Sequence, residues 1–364
     1  MIPYTRKTLP NGLTVVVNRD RASKLAAVNI LYRVGARNEN PARTGFAHLF
    51  EHLMFRGTRA VENFDLPVQM ASGDNNAFTN NDYTDFYITL PKDNLETALW
   101  LESDRMEGLD ITPAKLEAEK KVVIEEFLQR YLNQPYGDQT MLLRALAYKV
   151  HPYRWAAIGL ATDHIAGATL ADVESFYRAH YRPSNAILSI SADMEEEWML
   201  ELAEKWFAPL ADHPSETAAI PQEPVQTQAR RQEVERDVPA STVTVAYHMC
   251  ARTKLDFYTA DLVSDLLSGG DSGRLYTHLV KERNLLSSVN AYITGDVDPG
   301  LFVFTGQLLP GVTPEAAEAA FREEIEALQT TAATAYEIEK VKNKFDANTL
   351  FGELNVMNKA MNLG

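Results

Sequence analysis

Val28-Asn29-Ile30-Leu31-Tyr32-Arg33-Val34-Gly35-Ala36-Arg37 is the stretch on which the fold turns, because it recurs. It aligns without a gap to Val243-Thr244-Val245-Ala246-Tyr247-His248-Met249-Cys250-Ala251-Arg252. Both read as strands, rich in β-branched and aromatic residues and alternating apolar with polar over part of their length. After a two-residue slip the match continues into a helix. Ala47-His48-Leu49-Phe50-Glu51-His52-Leu53-Met54 meets Ala260-Asp261-Leu262-Val263-Ser264-Asp265-Leu266-Leu267. The apolar positions persist, whereas the histidines and Glu51 occur only in the first copy. Two related halves are expected, one chemically equipped and one not.

Working outward, Leu9-Pro10-Asn11-Gly12 is a turn and Leu13-Thr14-Val15-Val16-Val17 a strand. A loop of Asn, Pro and Gly separates Arg37 from Gly45. The pattern then predicts a helix over Phe46 to Phe55, closing at Arg56-Gly57-Thr58 with Gly57 as its C-cap. Asn76 to Thr79 and Asp85 to Leu90 read as paired strands. Two amphipathic helices follow, about Asp93 to Glu107 and Pro113 to Tyr131, the second with proline in its first turn. Strands, then helices, then strands again indicate an α+β protein. The expected architecture is two homologous α/β-sandwich-like halves, each a mostly antiparallel sheet covered by helices. Residues 213–240 carry Pro214, Pro221, Pro224 and Pro239 among Gln, Glu and Arg, a linker composition. The domains are therefore placed at 1–212 and 241–364, joined by that linker.

Of the 364 residues, 35 are Lys or Arg and 50 are Asp or Glu, giving a net charge of −15. That excludes general nucleic-acid binding, which needs a cationic surface. With 45% hydrophobic residues the chain is globular, not disordered. A single cysteine, Cys250, excludes a disulfide framework and any cysteine-based zinc site, and is expected as a buried structural thiol. No run approaches the ~18 apolar residues of a membrane span. The segment from Met1 to Arg6 has no apolar core of a signal peptide, so a cytoplasmic location is expected, or a periplasmic one if a leader has been removed.

The chemistry lies in His48-Leu49-Phe50-Glu51-His52. Residues at i and i+4 share a helix face, so both imidazoles can bind one ion. Glu51 falls on the same face, close enough to take a proton from water on that ion. Two neutral imidazoles and a carboxylate suit zinc, one ion per chain, with a position left open. The third ligand must come from elsewhere. The following helix offers Glu117, Glu119, Glu125 and Glu126, of which Glu119 and Glu126 stand two turns apart and point the same way. Geometry leaves the choice among the four open. A salt-bridged surface with Lys115, Lys120 and Lys121 would use the same residues. His164, His180, His213, His248 and His278 have no metal spacing.

The order His-x-x-Glu-His is that of the inverted zinc peptidases. With Leu9-Pro10-Asn11-Gly12-Leu13, His48 through Thr58, Asn76-Ala77-Phe78-Thr79, His151-Pro152-Tyr153 and Tyr181-Arg182-Pro183-Ser184-Asn185-Ala186, the chain resembles the pitrilysin family of metallopeptidases, which includes insulinase and the mitochondrial processing peptidase. The resemblance implies His48 and His52 as zinc ligands, Glu51 as general base, Glu126 as third ligand and Glu119 as a supporting acid. It also implies that substrate adds as a strand along Asn76, Ala77 and Phe78. The implied function is a zinc-dependent endopeptidase or oligopeptidase that cleaves extended peptides with a zinc-bound water.

One departure matters. Active members carry an Arg and a Tyr seven residues apart in the second half, where this chain has Val280 and Ser287. Arg283 stands at another point of the motif, and Arg274 reads as structural. A heterodimer follows as the expectation, with the Arg/Tyr pair supplied by a homologous metal-free subunit; a homodimer is the alternative. The competing function is a non-catalytic member serving as a peptide-binding scaffold. Relatives also continue beyond residue 364, so the second half is expected to be incomplete.

Overall fold

The computed structural model describes every residue except Met1, Pro214, Glu216 and Thr217. Three of these belong to the expected linker and lie outside the described residues. The chain divides into two compact units. The first comprises Met1–Asn133, Tyr148–Thr227 and Phe351–Gly364; the second comprises Gln134–Ala147 and Gln228–Leu350.

The first unit begins with β1 (Thr5–Thr8), β2 (Thr14–Arg19) and β3 (Leu25–Tyr32). Then come α1 (Phe46–Leu53), α2 (Asp65–Met70), β4 (Asp74–Thr79), β5 (Thr84–Pro91), α3 (Leu95–Glu107) and α4 (Pro113–Phe127). Helix α5 (Gln139–Ala147) belongs to the second unit, after which α6 (Thr162–Ala166), α7 (Leu170–His180), β6 (Ala186–Ala192) and α8 (Glu196–Phe207) return to the first. The sheet order is β1-β2-β6-β3-β5-β4. Every pairing is antiparallel except β2 with β6, where Val16 lies opposite Ser189. Strand β6 thus inserts between two strands that are consecutive in sequence. Strand β4 is left at an edge, and this edge becomes important below.

Alternation along β3 divides its side chains between two faces. Tyr32 turns toward Phe86 and Tyr181, at ring distances of 6.0 and 4.8 Å. Arg105 of α3 lies on that same side, its guanidinium 4.4 Å from the Phe64 ring and 4.2 Å from the Phe86 ring. Glu102 shares its burial and pairs with it through two hydrogen bonds, so the charge is compensated where an isolated one would be untenable. Ala27 faces the other way, where Val356 and Ala360 pack on it.

The second unit adds β7 (Thr242–His248), α9 (Leu255–Ser268), β8 (Leu286–Ile293), β9 (Leu301–Leu308), α10 (Pro314–Thr330) and α11 (Ala335–Gly352). Its antiparallel sheet runs β7-β9-β8. Leu267, Leu279, Leu286, Phe304 and Phe321 form its core. The strand and helix of the internal match appear as β3 with α1 and as β7 with α9, so the two-halves α+β reading agrees with the architecture. Gly270–Ser272 makes a short 3-10 turn. Arg274 binds Glu337 through two hydrogen bonds of 2.6 and 2.8 Å, a structural role as expected. Cys250 lies just past β7 and is only half-buried, contrary to expectation.

The compact units divide the chain differently from the expected domains. Residues 351–364 were expected in the second half, but α12 (Val356–Leu363) packs on β3 and β6 of the first. Conversely, residues 134–147 join the second unit, where the Tyr136 hydroxyl donates to Ala240 O at 2.8 Å. Among its described residues the expected linker has no helix or strand, yet it is tied down. The Glu223 carboxylate accepts from the backbone N–H groups of Lys149, Val150 and His151, at 2.8, 2.8 and 2.9 Å. Arg230 donates to the carbonyls of Leu146 and Ala147 at 3.0 and 2.7 Å. Among the described residues, no helix is long and apolar enough to cross a membrane.

Candidate metal centre

Helix α1 starts at Gly45, where φ is +90°. A Cβ there would sit 2.7 Å from the Ile158 carbonyl oxygen, so glycine answers both the left-handed backbone and the close approach. Phe46, Ala47, Leu49, Phe50 and Leu53 are buried. Phe50 stacks on Phe176 and Tyr181, with centroids 5.1 and 5.2 Å away. Those contacts fix the rotation of the helix, leaving His48, Glu51 and His52 on its half-buried side. The helix ends at Leu53, a half-turn earlier than expected, and a tight turn carries the chain to Gly57 (φ +93°).

Helix α4 supplies the acids. Thr112 caps it by accepting from Lys115 N at 3.2 Å, and Pro113 occupies its first turn. Glu119 and Glu126 both reach α1. After Phe127 the helix widens into a π-turn, Leu128–Leu132, a feature often found beside functional sites.

One oxygen of Glu126, Oε2, lies 3.7 Å from His48 Nε2 and 3.4 Å from His52 Nε2. Ligand atoms of these three residues all fall within 4.8 Å of one another, the only such trio among the described residues. Bonds of ~2.1 Å at tetrahedral angles set ligand atoms about 3.4 Å apart, so this donor set fits one zinc ion with little adjustment. His52 Nδ1 faces Glu119 Oε2 at 3.4 Å. Glu119 is itself buried and is held by Arg56 Nε at 2.6 Å. Arg130 grips the far oxygen of Glu126 at 2.9 Å. These are the two acids that the family resemblance implied; Arg130 was not among the expected site residues, although its i, i+4 spacing from Glu126 could have signalled it.

The electrostatics favour a cation at this point. Burial opposes a charged His52, but Glu119 and Glu126 outweigh it and lift the imidazole to about 9. Burial and then the neighbouring His52 push His48 down to about 4, leaving it neutral. The acids around the pair thus favour positive charge at this point, a setting that suits a divalent ion.

Glu51 stands beside the trio. Burial raises its pKa, and the Thr79 hydroxyl opposes that rise by donating to Oε2 at 2.6 Å. Thr79 was also missed as a site residue; it ends β4, the strand that bears Asn76, Ala77 and Phe78. Asn76 is exposed, while Ala77 and Phe78 are half-buried. Strand β4 pairs with β5 along one edge and with no described strand along the other. A cavity of about 540 Å³ opens between this strand and the metal cluster, with Glu51, His52, Phe55, Asn63 and Asn76 in its walls. His151, Tyr153 and Trp155 serve as a loop anchor: all three are buried, and His151 Nδ1 accepts from Tyr153 N at 3.1 Å.

Residues 14–155 match the family model "Insulinase (Peptidase family M16)" and residues 167–345 match "Peptidase M16 inactive domain". The chain is 33% identical over 341 residues to "Zinc protease PqqE" of Helicobacter pylori, covering 92% of this chain and 77% of that protein. It is 26% identical to "Probable mitochondrial-processing peptidase subunit beta, mitochondrial" of Arabidopsis thaliana, covering 82% of this chain and 59% of the relative. A crystal structure of a protease from Helicobacter pylori superposes with a TM-score of 0.92 at 31% identity, covering 98% of this chain and 87% of the other. A peptidase M16 inactive domain from Pseudomonas fluorescens, at 18% identity and TM-score 0.84, shares the fold over 98% of this chain and 88% of its own. Matches of this extent in both sequence and fold establish that the chain belongs to the insulinase family of metallopeptidases, M16.

Proposed function

We propose that the chain is a zinc endopeptidase or oligopeptidase acting on extended peptides, with one ion held by His48, His52 and Glu126 and with Glu51 as general base. The convergence of those three donors beside Glu51 carries the reading. When bound, zinc supplies a Lewis acid that brings the pKa of water to roughly 7 and polarises a carbonyl. Glu51 takes a proton from the attacking water and delivers it to the leaving amine. Thr79 holds the Glu51 carboxylate in place through its hydroxyl. Glu119 orients His52 through Nδ1, and Arg130 restrains Glu126. Asn76, Ala77 and Phe78 offer the open edge of β4 to a substrate strand, which selects for extended conformation more than for sequence.

The partner in this reading is a homologous subunit bearing an Arg/Tyr clamp. Val280 packs against the core of the second unit, and Ser287 Oγ donates to Gln307 Oε1 at 3.2 Å. Neither side chain can act as the Arg or the Tyr. The arginines nearby are engaged elsewhere, Arg283 with Glu323 and Arg274 with Glu337.

The test is zinc content and peptide cleavage, measured with and without a candidate partner. Glu51→Gln is expected to keep its zinc and to lose cleavage by about a hundredfold or more. If the unaltered protein holds stoichiometric zinc but cleaves nothing even with its partner, the peptide-binding scaffold takes the place of the enzyme.

A further inference from the structure

The N-terminus of α1 has no capping side chain of its own, because Gly45 occupies the cap position. Two of its backbone donors are nevertheless met by a side chain from upstream. Glu39, buried and six residues upstream, accepts from Gly45 N through Oε2 at 2.9 Å and from Ala47 N through Oε1 at 2.8 Å. Trp155 Nε1 donates to the same Oε2 at 3.1 Å and to Ala36 O at 3.0 Å. The loop that carries Glu39 is fastened in turn to the tip of the β4–β5 hairpin. Ala36 N donates to Asn80 O at 3.1 Å, and Arg37 N to Asn81 O at 2.8 Å. Gly35 approaches that tip so closely that a Cβ would meet Asn80 O at 2.6 Å.

A continuous path therefore runs from the hairpin containing β4, through residues 36–39, to the backbone one residue before His48. Thr79, the residue before Asn80 at that same end of β4, joins the strand to Glu51 in the last turn of α1. We infer that Glu39 is a positioning residue: it holds α1 against the hairpin, and so sets the distance between the strand that receives substrate and the side chains that act on it. This rests on the proposed peptidase function and adds a determinant outside the metal cluster. Burial lifts the Glu39 pKa to about 8, against the three N–H groups that converge on the acid and favour its ionised form. Its two oxygens accept three N–H groups, whereas an amide offers one acceptor oxygen and turns an NH₂ toward a donor. Misplacement of about 1 Å in such a site costs on the order of a hundredfold in rate.

The experiment compares the unaltered full chain with Glu39→Gln, which keeps shape, and Glu39→Ala, which removes the acceptor. The readouts are zinc affinity by chelator competition, kcat and KM on an extended peptide, and backbone amide exchange over residues 45–49. In Glu39→Gln, zinc affinity and kcat are expected to fall by about tenfold, with KM little changed and faster exchange at α1. In Glu39→Ala, where it folds, the same changes are larger. A role confined to stability would lower the unfolding midpoint and leave the zinc affinity and kcat of the folded molecules at the unaltered values, which overturns the inference. So does unchanged exchange at α1 in Glu39→Gln. If the unaltered protein itself binds no zinc, the functional reading fails, and the exchange measurement still decides whether Glu39 orders the helix.

Discussion

Thr79 and Glu51, 28 residues apart in sequence, are joined by one hydrogen bond of 2.6 Å from the Thr79 hydroxyl to Glu51 Oε2. The bond ties the edge strand β4 to the general base proposed on α1. Hydrogen bonds to charged groups contribute about 1.5–3 kcal/mol. Replacing Thr79 by Val should therefore lower kcat by about tenfold, while Thr79→Ser should restore it. Zinc content should be the same in all three proteins. Equal kcat values for the Val and Ser variants would show that the bond has no part in the reaction.

Glu119 supports His52 without belonging to the trio that faces one point. Glu119→Gln is predicted to weaken zinc binding by about 10–100-fold and to recover cleavage in excess zinc. Glu126→Gln should not recover in that way. Chelator competition with both variants distinguishes a supporting acid from a ligand, and equal losses would place both acids on the metal.

Asp85 is buried on β5 and accepts from Asn29 Nδ2. Burial, with a smaller push from Glu102, raises its pKa from 3.8 to about 7, against the Asn29 hydrogen bond. The folded state therefore keeps a proton that the unfolded chain releases, and stability falls as pH rises between about 4 and 7. Asp85→Asn retains an acceptor for Asn29 and removes the titration. Urea denaturation should find the variant gaining on the unaltered protein by about 1–3 kcal/mol between pH 4 and pH 8. A difference independent of pH would refute the assignment.

Gly45→Ala combines a left-handed φ with a contact on the Ile158 carbonyl. Strain of this kind costs about 1–3 kcal/mol. The unfolding midpoint should drop accordingly, and zinc affinity should drop with it, because the strain falls at the start of the helix that carries both histidines. A lower midpoint with full zinc affinity would mean that α1 absorbs the change without moving His48.

The parts of this site that can be read from sequence are those set by local periodicity. His48, Glu51 and His52 share a face through helical spacing alone, and Thr112-Pro113 announces the start of α4. Spacing could not choose Glu126 over its neighbours, since Glu117, Glu119 and Glu125 sit on the same helix; there the family resemblance was needed. Glu39 and Thr79 carry no periodic signal, because their partners are reached by folding of loops and by strand pairing. The insertion of β6 between β2 and β3 is equally hidden: neighbouring strands in sequence normally pair, and here a strand made far later separates them. An amphipathic helix, for its part, does not say which sheet it will cover. That is why the sequence does not show which unit α5 and α12 join.

The position of α12 bears on how the protein is made. A ribosome releases Ala27 long before it releases Val356 and Ala360, which finally cover it. Until then one face of the first sheet is bare, and contacts of such long sequence separation form slowly. The nascent chain thus carries this sheet face uncovered until residues 356–360 have been made. The unit bearing the candidate metal site is completed only by a segment that follows the second unit in sequence.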